Sequence, residues 1–162
     1  MRKTLLLILV IFSLASSAQI SVQEQPNWCW ASCIQSVMWQ ANTAQTQPQI
    51  VARLTGYPYD RPANGAEITY ILKSYYFKAW EVPYPANHQQ LYNILASGWK
   101  LIAFVNPSNN PQVGHFILLQ RISNNGLIVI SDPSSGMTYE QNIEQLYFAW
   151  KWGRSVVVGT PF

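Results

Sequence analysis

The chain has 162 residues, 49% of them hydrophobic and 14% aromatic, which suits one domain with a proper core and excludes a disordered chain. Ten Lys and Arg face seven Asp and Glu, scattered rather than gathered on a face, so nucleic acid is excluded as a partner.

Residues 1–18 read as a signal peptide rather than as part of the fold. Arg2 and Lys3 give a positive start, LLLILVIFSLA an apolar stretch, and SSA a small-residue cleavage site after Ala18. The apolar stretch is shorter than the roughly 20 residues a spanning helix needs, so cleavage is expected rather than a retained anchor. The domain is then 19–162, periplasmic or secreted, with no membrane attachment after cleavage. Without Arg2 and Lys3, eight cations remain against seven carboxylates, a net charge of about +1.

The next stretch, QEQPNWCWASC over 23–33, holds both cysteines, Cys29 and Cys33. Two cysteines do not make a disulfide framework, and at i,i+4 on a helix their side chains run parallel, so a bridge is not expected. Structural zinc wants four ligands, and the two histidines, His88 and His115, are not at ligand spacing from them. No metal or cofactor is expected. A buried thiol and a reactive thiol remain open.

CWASCIQSVMWQAN places Cys29, Cys33, Val37 and Ala41 in one row, which predicts an amphipathic helix of three to four turns. Pro26 and Asn27 before it are breaker and cap candidates, so Cys29 falls in the first turn. There unpaired N–H groups and the helix dipole stabilise a thiolate, whereas Cys33, one turn deeper, is a packing residue.

Further along, 47–56, 65–77 and 87–97 read as helices, the last ended by Gly98, and 99–105 as a core strand. His88 lies near the start of the third of these helices and reads as a surface residue. HFILLQRI (115–122) and LIVIS (127–131) flank an NNG turn and predict an antiparallel hairpin. His115 then opens the first strand and Asp132 lies just past the second, so the hairpin brings the two together. His115 is either a core histidine or the base for a thiol, and Asp132 either a turn residue before Pro133 or the group that orients His115 through Nδ1. GRSVVVG (153–159) would close the sheet.

Gln23, Cys29, Trp30 and Ala31, in the pattern Q-x5-C-W-A, resemble the start of a papain-like cysteine protease. SGWKLIAFV, GHFILL and ISDPSSG resemble the bacterial branches of that superfamily, the double-glycine leader peptidases and the secreted effector proteases. His115 and Asp132 are seventeen residues apart and Cys33 stands at a common non-catalytic position, as in those families. The resemblance implies an α+β papain-like fold with an N-terminal helical subdomain, about 29–97, packed on a C-terminal antiparallel sheet. It implies a cysteine-type endopeptidase with Cys29, His115 and Asp132 as the triad and Gln23 completing the oxyanion hole.

Gln25, Pro26, Asn27 and Trp28 replace the Cys-Gly-Ser stretch of papain itself, and no prosegment fits between the cleavage site and Gln23. The short arm bearing Gln23 is expected to be mobile. Trp28, Trp30, Trp150 and Trp152 are candidates to line the cleft. The expected partner is a peptide or protein substrate, acting on a monomer. Two other classes use the same residues: an amidase or transamidase acting on cell-wall peptides, and a catalytically silent peptide-binding relative.

Overall fold

A computed structural model describes residues 20–108, 110 and 114–161. The expected signal peptide and its cleavage site lie outside the described residues. The elements are α1 (Cys29–Gln40), α2 (Gln47–Thr55), α3 (Gly65–Ser74), β1 (Phe77–Val82), α4 (His88–Ala96), β2 (Lys100–Val105), β3 (His115–Ile122), β4 (Ile128–Asp132), β5 (Met137–Gln141), α5 (Ile143–Phe148) and β6 (Ser155–Pro161). The strands form one antiparallel sheet in the order β1-β6-β2-β3-β4-β5.

Successive strand side chains point to opposite faces, and here both faces are covered, which is why the central strands are apolar almost throughout. Ile102, Phe116, Leu118, Val156 and Val158 join one core with α1, α2 and α3. Leu101, Ile117, Leu119, Ile130 and Val157 join a second core with Leu91 and Leu95 of α4 and Leu146 of α5. The expected α+β class, a helical layer on an antiparallel sheet, is what folds. The helical segment is shorter than 29–97, however: α4 crosses to the far face, and β1 belongs to the sheet.

The long helix expected over 65–77 stops at Ser74. Tyr76 takes a left-handed φ of 66° and Phe77 opens β1, in which Phe77 and Ala79 are buried while Lys78 and Trp80 face out. Side-chain caps set the helix starts: Thr46 with Gln49, Asn64 with Glu67 and Asn87 with Gln90 form capping boxes at α2, α3 and α4. Gly98, at φ 82°, follows α4 as expected.

Helix α1 is enclosed between the sheet and helices α2 and α3, with residues 29–38 all buried. Its first turn has no side-chain cap. Asn27, the expected cap, instead gives its backbone N–H and its side-chain amide to the Asp60 carboxylate, at 2.9 and 3.2 Å. Trp28 takes the N-cap position and is 3% exposed, its indole donating to the Tyr59 carbonyl.

The arm before α1 is tied down rather than loose. Ile20 is buried, the Gln23 N–H donates to the Pro133 carbonyl at 2.9 Å, and the Ser32 hydroxyl donates to the Ser21 carbonyl at 2.5 Å. A short arm becomes rigid when its backbone groups find buried partners, and here those partners come from distant parts of the chain.

Candidate active site

The predicted hairpin forms. Leu118 pairs with Ser131 and Ile122 with Ile128, around a turn in which Gly126 adopts φ 76°. The turn lies at one end, so His115 at the start of β3 and Asp132 at the end of β4 meet at the other. His115 Nε2 donates to Asp132 Oδ1 at 2.7 Å. The expected contact through Nδ1 is corrected here: Nε2 faces the carboxylate, which leaves Nδ1 for the Cys29 side. Both side chains are mostly sheltered, with His115 20% and Asp132 13% exposed.

Cys29 enters from the other layer, as the first residue of α1. A cleft of about 270 Å³ separates the two, with Cys29, Trp30, Pro62 and Ala63 on the helical side and His115, Phe104 and Phe116 on the sheet side. Of the candidate tryptophans, Trp30 lines this cleft. Trp150 and Trp152 instead pack in the second core, across the sheet.

Burial and neighbouring groups pull against each other in this site. Burial, the largest influence on His115, works against its protonation. The hydrogen bond to Asp132 and the influence of Cys29 and Asp132 beside the ring outweigh it, and the imidazole is raised to about 9. Burial likewise works to raise Asp132, but the hydrogen bonds from His115 and Ser134 hold it below the ordinary carboxylate value. Cys33 is raised well above an ordinary thiol, first by burial and then by the charges of Cys29 and Asp132. Its Sγ donates to the Phe116 carbonyl at 3.6 Å, fully enclosed, so it packs as expected.

Gln23 stands apart from the other three. Its Nε2 donates to the carbonyls of Gln25, at 3.0 Å, and Pro26, at 2.7 Å, and so braces the turn that leads into Cys29. Its Oε1 is buried with no hydrogen-bond partner among the described residues. His88 is exposed and pairs with Glu144 at 3.1 Å, far from this chemistry. Among the described residues, no group of three His, Cys, Asp or Glu is arranged to hold a metal ion. No helix among them is long and apolar enough to cross a membrane.

Two residues inside the GHFILL and ISDPSSG motifs have structural roles that the sequence did not assign. Ser134 donates to Asp132 Oδ1 from its backbone at 2.9 Å and from its hydroxyl at 2.8 Å, so Oδ1 accepts three hydrogen bonds. The DPSS stretch carried that signal, an Asp accepting from the residue two positions on. Gly114 is the other. A Cβ there would lie 2.1 Å from two ring carbons of Phe104, whose ring is wedged edge-on against Phe116 and under the Arg154 guanidinium. Gly114→Ala is expected to displace Phe104 at a cost of about 1–3 kcal/mol. The displaced ring should lower peptidase kcat/KM by roughly 10- to 100-fold through misplacement of His115. Thermal denaturation and steady-state kinetics on one preparation check both effects.

The sequence profile of the family described as papain-like cysteine protease AvrRpt2 matches residues 12–149. No curated protein matches the chain. The fold is similar to that of the peptidase domain of Streptococcus ComA, described as a bifunctional ABC transporter in a quorum-sensing pathway. The two share 15% identity at a TM-score of 0.68, over 88% of this chain and 98% of that one. It is similar also to a Bacillus anthracis protein described as a C39-like peptidase, with 13% identity and a TM-score of 0.69 over 90% of this chain and 96% of that one. A double-glycine motif protease from an AMS/PCAT transporter, solved with its leader peptide, is similar at 16% identity and a TM-score of 0.63, over 88% and 91%. These likenesses give the fold, that of the papain-like peptidase domains. The profile spans most of the chain and gives the family: this protein belongs to the papain-like cysteine proteases of the AvrRpt2 family and is a cysteine peptidase.

Proposed function

We propose that the protein is an exported endopeptidase that cleaves peptide bonds with Cys29 as nucleophile, His115 as acid and base, and Asp132 as the group that orients His115. The observation that carries this reading is the 2.7 Å bond from His115 Nε2 to Asp132, made while the other face of the ring addresses Cys29 across an open cleft. Cys29 attacks the scissile carbonyl as a thiolate beside protonated His115. The tetrahedral oxyanion takes a hydrogen bond from the Cys29 backbone N–H, which the uncapped start of α1 leaves available. Gln23 supplies the second donor by exchanging its longer bond, to the Gln25 carbonyl, for the oxyanion.

His115 then protonates the leaving amine, and the thioester forms. Water, deprotonated by His115, hydrolyses it and restores the thiol. Asp132 keeps the ring from rotating and stabilises its positive charge throughout. The leader peptide bound by the similar transporter protease supports a peptide as the substrate of this cleft.

Digestion of a proteome-derived peptide library tests the reading, with wild type and Cys29→Ala side by side. Internal cleavages present in wild type and lost in the variant support an endopeptidase. Release of muropeptides from purified peptidoglycan, with the library untouched, would assign an amidase instead. For export, the predicted signal peptide leads to one expectation: protein recovered outside the cytoplasm begins at Gln19. Recovery of an intact N-terminus there would contradict cleavage.

A further inference from the structure

Glutamine belongs to the residue types usually found at the surface, yet Gln47, the first residue of α2, is fully enclosed. Buried amides are kept for the hydrogen bonds they make. Gln47 Oε1 accepts from the Glu24 backbone N–H at 2.9 Å, and its Nε2 donates to the Val22 carbonyl at 2.8 Å. Those two backbone groups flank Gln23. In an extended chain they point to the same side, as the groups of one strand do toward its neighbour. The Gln23 N–H points the opposite way and donates to the Pro133 carbonyl, next to Asp132.

The side-chain amide of Gln47 thus stands where a neighbouring strand's peptide would be. Residue 23 is clamped between it and the turn that follows Asp132. Nε2 of Gln47 also lies 3.2 Å from both the Ser21 hydroxyl and Gln35 Oε1, and Gln35 is on α1, the helix that begins with Cys29.

We propose that Gln47 is a positioning residue for catalysis: it touches no substrate, and it fixes Gln23 relative to Cys29 and Asp132 by pairing with the backbone on either side of it. This rests on the reading of Gln23 as an oxyanion donor. A polar clamp fits the task better than apolar packing, because only directed hydrogen bonds set the register of a short arm to within the tolerance that oxyanion donors demand.

The test is a double-mutant cycle in the otherwise unaltered protein, using Gln23→Ala, Gln47→Met and the pair. Steady-state cleavage of one peptide is measured with the rate of Cys29 alkylation by iodoacetamide, a reaction that forms no oxyanion. Gln23→Ala should lower kcat by roughly 10²-fold. Gln47→Met should lower kcat at least about 10-fold with KM little changed, and the pair should be no worse than Gln23→Ala alone. Alkylation should be unaffected in all three.

Losses that multiply in the pair would overturn the proposal, as would wild-type kcat in Gln47→Met while Gln23→Ala is impaired. If Gln23→Ala is itself unimpaired, the oxyanion reading fails and takes the proposal with it. Should Gln47→Met not fold, hydrogen exchange in wild type decides. The Glu24 amide is expected to be protected well beyond a surface loop, and exchange at unstructured rates would rule the clamp out.

Discussion

Cys29→Ala is expected to abolish peptide cleavage, a loss of roughly 10⁴-fold or more, with the fold intact. Cys33→Ala should retain activity. The two thiols sit one helical turn apart on α1, and their surroundings separate them. Cys29 opens onto the cleft beside His115, with the unpaired N–H groups of the helix start around it. Cys33 is fully enclosed, donates to the Phe116 carbonyl, and is raised by burial away from the reactive form. Its truncation removes packing on the order of 1 kcal/mol. For a chain of this size that lowers Tm by about 2–4 °C. Kinetics and thermal melts of both variants check the pair of outcomes, and an active Cys29→Ala would remove the basis of the mechanism.

The second large effect belongs to Asp132. The carboxylate and the thiol together raise His115 to about 9. A group raised in this way keeps its proton below that value and loses it above. The ion pair needs protonated His115, so activity should persist through neutral pH and fall as pH rises through about 9. Asp132→Asn removes the negative charge and weakens the bond to Nε2. The alkaline limb should move down toward the ordinary imidazole value of about 6.5. Activity at pH 7 should drop by roughly 10²- to 10⁴-fold, because the ring loses both its proton and its orientation. A profile of kcat/KM from pH 5 to 10 for both proteins checks this, and an unmoved alkaline limb would show that Asp132 does not hold His115.

The same groups tie stability to pH. His115, raised in the fold, contributes stability that is complete below about 6.5 and lost as pH climbs through about 9. Asp132, lowered in the fold, contributes above its ordinary value and loses that contribution as pH falls. The two contributions overlap from mildly acidic to neutral pH.

Residues on adjacent, regular elements were legible in the sequence. Cys29 at a helix start, and His115 and Asp132 at the open end of a hairpin, follow from periodicity and one turn signal, because hairpin register is a local property. The ring nitrogen that faces Asp132 was not legible, since it depends on which side of the imidazole the distant helix α1 occupies. The contacts that brace the site join segments far apart in the chain: Gln47 to Val22 and Glu24, and Asn27 to Asp60. Nothing local in a glutamine announces that it will be buried.

Two strands were hidden for different reasons. β1 was masked because the apolar spacing of α3 runs on through Tyr75, Tyr76 and Phe77, and a left-handed Tyr76 breaks it without glycine or proline. β5, with the sequence MTYEQ, is an edge strand whose residues are all exposed or half-exposed, so it lacks the apolar alternation that marks a strand.

The central claim is that Cys29 is activated by His115, and alkylation measures it directly. Iodoacetamide labelling with peptide mapping, from pH 5 to 9, separates Cys29 from Cys33 in wild type and in His115→Ala. The account predicts that at pH 6 Cys29 labels at least about 10-fold faster in wild type than in the variant. Cys33 should stay unlabelled in both. Equal Cys29 rates in the two proteins, or faster labelling of Cys33, would contradict it.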